Sequence, residues 1–115
     1  MPYVDGFVAA VPTAKRESYL AFSKLTGQVF KDCGALSVVD CWGDDVPEGA
    51  VTSFPLAVKR SADETVVFGW VVWASKEARQ AGMAKAEKDD RLTNADMPFD
   101  GKRMIMGGFE VISER

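Results

Sequence analysis

The stretch that most restricts the fold is Arg103-Met-Ile-Met-Gly-Gly-Phe-Glu-Val-Ile112, because it is apolar on both of its sides. Side chains of an extended chain alternate between two faces, which here puts Arg103, Ile105, Gly107, Phe109 and Val111 against Met104, Met106, Gly108, Glu110 and Ile112. A half-solvated strand alternates apolar and polar residues, so this one is expected to be covered on both faces. Pro98 and the Asp100-Gly101 pair before it make a turn. Gly107-Gly108 suggests a β-bulge, or else the close approach of another group.

Upstream, Tyr3 to Val11 reads as an apolar strand, and Pro12-Thr13 offers the N-cap of a helix from Ala14 to Cys33. Tyr19, Phe22, Leu25, Thr26, Val29, Phe30 and Cys33 recur at helical steps, with Ser23 among the residues on the wet side and Gly34 as the C-terminal cap. Leu36 to Trp42 is a second strand. Gly43 to Gly49 is a loop whose carboxylates lack the spacing of a calcium site. Ser53 to Lys59 reads as a short extra strand that Pro55 confines to an edge, turning at Arg60–Glu64 into the strongly apolar strand Thr65 to Trp73. Ser75 caps a helix from Lys76 to Lys88 whose buried side is expected to be Ala78, Ala81, Gly82 and the stem of Lys85.

Strand, helix, strand, short extra strand, strand, helix, strand within residues 1–115 describes one α+β domain. It predicts a ferredoxin-like four-stranded antiparallel sheet with two helices on one face. Those helices can cover only that face. Yet Phe7, Val38, Phe68, Trp70, Val71, Phe109 and Val111 load both sides of the strands with large side chains. The uncovered side would be an apolar patch larger than soluble monomers tolerate. A second copy laid sheet to sheet would cover it, which predicts a twofold homodimer burying on the order of 1,600 Å² or more.

Composition narrows function mainly by exclusion. Fourteen basic against seventeen acidic residues leave a net charge of −3, with no electrostatic reason to bind a nucleic-acid backbone. No apolar run is long enough to span a bilayer, and the N-terminus leads straight into a strand, so a cytoplasmic protein without a membrane partner is expected. Cys33 and Cys41, with seven residues between them and no companion ligands, are expected to be reduced and buried, not a metal site. The chain contains no histidine, which removes Ser-His and Cys-His nucleophile systems and histidine-ligated haem. Neither metal nor cofactor is expected.

Tyr3-Val-Asp-Gly-Phe7, Trp42-Gly-Asp-Asp-Val-Pro47, Thr52-Ser-Phe-Pro55, Ala57-Val-Lys59, Val66-Val-Phe68 with Trp70, and Met97-Pro-Phe-Asp-Gly-Lys-Arg-Met-Ile105 with Gly107-Gly-Phe109 span nearly the whole chain. Through them the sequence resembles the uncharacterised bacterial YbaA-like family, domain of unknown function fourteen twenty-eight. The resemblance implies the dimeric α+β-barrel superfamily, in which two ferredoxin-like protomers close a barrel between their sheets. Superfamily relatives include cofactor-independent monooxygenases, which makes such an enzyme one alternative. A small apolar or aromatic ligand held in the barrel is the principal expectation, and a structural or protein-interaction dimer is another alternative.

The residues that chemistry would use are few. Asp5, Asp40 and Glu110 are carboxylates inside strands, and a buried carboxylate must be paired or protonated. Asp5, Asp40 and Arg103 are the catalytic candidates; Trp42, Lys59, Trp70 and Phe109 are the ligand-binding candidates. The structural alternative pairs Asp5 and Asp40 with Lys59 or Arg103. A cavity too small for a drug-sized molecule would count against both an enzyme and a binder of such molecules.

Overall fold

The computed structural model describes residues 1–115. Strand β1 (Tyr3–Pro12) leads into helix α1 (Arg16–Asp32), strand β2 (Ser37–Trp42), a one-turn helix α2 (Phe54–Ala57) and strand β3 (Glu64–Trp73). Helix α3 (Lys76–Glu87), the short helix α4 (Asp90–Thr93) and strand β4 (Ile105–Glu110) complete the chain. The strands lie in the order β2-β3-β1-β4, every pairing antiparallel, as the ferredoxin-like arrangement requires. No helix is long and apolar enough to cross a membrane.

Directly paired residues share a face of the sheet, so the register sorts every strand side chain. Tyr3, Ala9, Val11, Val67, Val71 and Trp73 face the helices and bury there with Tyr19 and Ala35. Phe30 of α1 and Met83 of α3 pack on the same layer. Phe68, Trp70, Val4, Val39, Ile105 and Phe109 point to the opposite face.

Several expectations are corrected. The extra strand does not exist: Ser53 accepts a hydrogen bond from the Leu56 amide at 3.0 Å and caps α2, and Pro55 stands in the first turn, where its missing N–H costs nothing. There is accordingly no hairpin before β3. Instead Val58, after α2, is fully buried against Val8, Ala10 and Val66 and covers one end of the otherwise open face.

Thr13 does not cap α1. It lies in a 3₁₀ turn, Thr13–Lys15, with its hydroxyl 2.7 Å from that of Thr65, and α1 starts without a side-chain cap. Leu25, expected in the buried stripe, is exposed. Gly34 follows α1 with φ +113°, a conformation that suits glycine.

The α3 face also differs. Ala81 and Lys85 are exposed, while Gly82 and Ala86 are buried. Arg79 reaches buried Asp5, and residues 79, 82, 83 and 86 form the stripe that follows from that contact. Cys33 is half-buried and Cys41 exposed on the open face, so neither is a core residue.

The closing segment departs twice from expectation. Gly101–Arg103 is a 3₁₀ turn, and the pairing of β4 with β1 runs through Gly107 and Gly108 without a bulge. Gly108 answers the other reading of the pair: a Cβ there would collide with the Tyr3 ring. Moreover, β4 is an edge strand, and within one chain Ile105 (45 % exposed), Met106 (59 %) and Phe109 (63 %) are far from covered.

Candidate functional site

Helical steps of three and four put Tyr19, Phe22, Ser23, Thr26 and Phe30 along the sheet-facing side of α1. Strand alternation puts Val38 and Asp40 of β2, Val71 of β3 and Asp5 and Phe7 of β1 beneath them. A cavity of about 160 Å³ lies between the two layers. Met83 of α3, Leu92 of α4, and Met97, Phe99, Met104 and Met106 from the segment around β4 complete its lining, and with Met97 and Met106 exposed it stays open to solvent. Twelve of its seventeen lining residues are hydrophobic, so it is an apolar chamber with a few polar groups.

The aromatic wall is compact. The Phe22 and Phe99 ring centroids are 5.7 Å apart and meet edge to face, and Tyr19 lies 6.2 Å from Phe22 and 5.9 Å from Phe99. The Trp42 ring lies beside Tyr19, tilted by 50° with centroids 6.2 Å apart, and the Arg16 guanidinium lies over the Trp42 ring, 5.5 Å from its centre.

Two carboxylates touch the cavity, and their circumstances are opposite. Asp5, only 3 % exposed, accepts from Trp73 Nε1 at 2.9 Å and from Arg79 through Nε and Nη2, the latter at 2.8 Å. Its charge is compensated by a two-pronged guanidinium contact, and the same guanidinium lies 5.5 Å from the centre of the Tyr3 ring. Asp40 has no such partner. It accepts from Tyr19 Oη at 2.6 Å on one oxygen and from Ser23 Oγ on the other. Burial, and then the hydrogen bond to Asp40, push the Tyr19 phenol well above its ordinary range, so it stays protonated and remains a donor.

Of the candidates named from the sequence, only Asp5 and Asp40 line this cavity, and Trp42 borders it through Tyr19. Trp70 and Phe109 belong to the opposite face of the sheet. Lys59 is exposed in a turn, and its carbonyl accepts from Arg103 at 2.9 Å. Arg103 is tied to Glu64 at 2.6 and 2.8 Å and to Asp100 at 3.0 Å, so it serves neither Asp5 nor Asp40. Glu110 is exposed. The partner of Asp5 is Arg79, which nothing in the strand pattern singled out.

The cavity also lies under the helices and not on the open side of the sheet, where a ligand was expected. Ser23, assigned from its polarity to the wet side of α1, is half-buried on Asp40. Its position four residues after Tyr19 was the available signal. Of the cavity methionines, strand alternation placed Met104 and Met106 on one face, whereas Met83 of α3 and Met97 of a loop left no such trace.

Comparison with known proteins gives one family and one fold. The family model described as protein of unknown function (DUF1428) matches residues 2–101. The chain is 50 % identical over 114 residues to the uncharacterised protein YbaA of Escherichia coli K12, covering 97 % of each chain. The YbaA protein of Shigella flexneri matches to the same extent. Among solved structures, a dimeric ferredoxin-like protein from an uncultured marine organism superposes with a TM-score of 0.59 over the full length of both chains at 13 % identity. That likeness concerns the fold.

Proposed function

The chain belongs to the DUF1428 family of unknown function, and from that premise we propose a homodimeric protein in which each protomer binds a small apolar or aromatic molecule beneath its helices. The observation that carries the binding reading is the apolar chamber of about 160 Å³ with its aromatic wall and polar end. An engineered dry cavity of about 150 Å³ accepts benzene, whereas drug-sized ligands occupy about 300 Å³ or more. The volume therefore counts against a drug-sized ligand and against a polycyclic, polyketide-like substrate. It suits one ring.

Dimerisation has separate support. The sheet face opposite α1 and α3 bears Phe68 (42 % exposed), Ile105 and Phe109, with Trp70 half-buried between them. Apolar surface of this extent is stabilised by removal from water. A ferredoxin-like protein of the same fold is described as dimeric. Two unbridged cysteines suit a reducing compartment such as the cytoplasm.

Toluene provides the test of the chamber. Methyl NMR of the methionines should show shifts at cavity-lining Met83, Met97, Met104 and Met106, with Met1 unmoved. Filling the space by Val38→Phe should abolish those shifts. Saturating toluene that leaves all the cavity methyls in place would remove the reading.

A further inference from the structure

We infer that the chamber selects a one-ring molecule carrying a positive charge, its ammonium group bound to Asp40 while its ring lies against Tyr19, Phe22 and Phe99. The inference rests on the ligand-binding reading above and specifies the ligand's charge.

The reason is an imbalance of charge around an apolar space. Asp5 is neutralised by Arg79, but no lysine or arginine lies within ion-pair distance of Asp40. The basic residues that share a surface groove with it are Arg16, Lys24 and Lys31. Arg16 stacks on Trp42, and Lys31 donates to the Leu36 carbonyl at 3.0 Å. Lys24 is exposed on α1 and forms no ion pair.

Asp40 instead receives two hydroxyl donors, Tyr19 and Ser23, which orient both oxygens without cancelling their charge. A half-buried carboxylate beside apolar walls gains most from a cation. The ring wall adds to this, because aromatic faces attract a cation through their quadrupole. A neutral alcohol would donate one hydrogen bond and leave the charge in place, and a carboxylate ligand would be repelled.

Benzylamine, benzyl alcohol and benzoate share one shape and differ in charge, so they separate the possibilities on the intact protein. Titrations followed by the methionine methyl signals should show benzylamine binding at least about tenfold more tightly than benzyl alcohol, the margin between charged and neutral hydrogen bonding. Benzoate should bind weakest. Asp40→Asn should bring benzylamine to the affinity of the alcohol. Ser23→Ala, which keeps the carboxylate, should retain the preference for the amine.

Benzyl alcohol binding as tightly as benzylamine to the unaltered chain would overturn the charge inference and leave the ligand reading standing. So would benzylamine binding that moves none of the cavity methyls, or an amine preference that survives Asp40→Asn. Failure of all three compounds at millimolar concentration while toluene still shifts the cavity methyls would overturn the charge inference alone, and failure of toluene as well would end both. The comparison on the unaltered chain decides even if a variant does not fold.

Discussion

Asp5 and Asp40 show how one residue type acquires two roles from its neighbours. Both carboxylates sit on the helix-facing side of the sheet, yet Asp5 is locked to Arg79 and Trp73 while Asp40 meets only hydroxyls. Asp5 is therefore a structural residue that ties β1 to α3. Asp5→Asn should destabilise the fold by about 3 kcal/mol in urea unfolding, since Arg79 loses a partner it was positioned to meet. The figure lies at the low end for a broken buried pair because the Arg79 side chain keeps 26 % of its surface in water. Asp40→Asn, by contrast, retains an oxygen for one hydroxyl and should leave the fold largely intact while changing ligand choice. A loss of stability at Asp40 equal to that at Asp5 would contradict this division.

At the scale of elements, the ends of strands are held by a latch that the strand pattern alone does not specify. Arg103, at the end of the 3₁₀ turn before β4, grips Glu64 at the start of β3, while Glu64 also accepts from the Ser61 amide at 2.7 Å. The Arg103 guanidinium is the main reason the Glu64 carboxyl titrates at about 2 instead of 4.5. A carboxyl whose value falls on folding stabilises the fold fully above its unfolded value. That contribution is lost as the pH drops from 4.5 toward about 2. Chemical unfolding across this interval should show a steep acid limb that Glu64→Gln flattens. A variant with an unaltered limb would mean the latch does not act in solution. The short helix α2 makes a related point, because Ser53 and Pro55 turned a segment read as strand into a capped helical turn.

For the whole molecule, the decisive property is the imbalance between the two faces of the sheet. Helices α1 and α3 cover one; on the other, Val58 and the α2 segment cover only the end near Val8, Ala10 and Val66. A homodimer joined through the remainder should have twice the 12.5 kDa mass of the chain in light scattering. Phe109→Glu, on edge strand β4 and already 63 % exposed in the single chain, should return the mass to that of one protomer without unfolding it. A monomeric mass for the unaltered protein at micromolar concentration would end the dimer proposal.

The alternation of apolar residues in β1, β3 and β4, the helical repeat from Tyr19 to Phe30 and the Ser75 cap were enough to specify the ferredoxin-like sheet. These are local periodicities, and they also expose the shortage of helix that leaves one face open. Only the folded chain could pair Arg79 with Asp5, seventy-four residues away, or bring Phe22, Phe99 and Asp40 around one chamber. Such contacts depend on the registers of several elements at once. A void is the space those elements fail to fill, and no single stretch of sequence carries it.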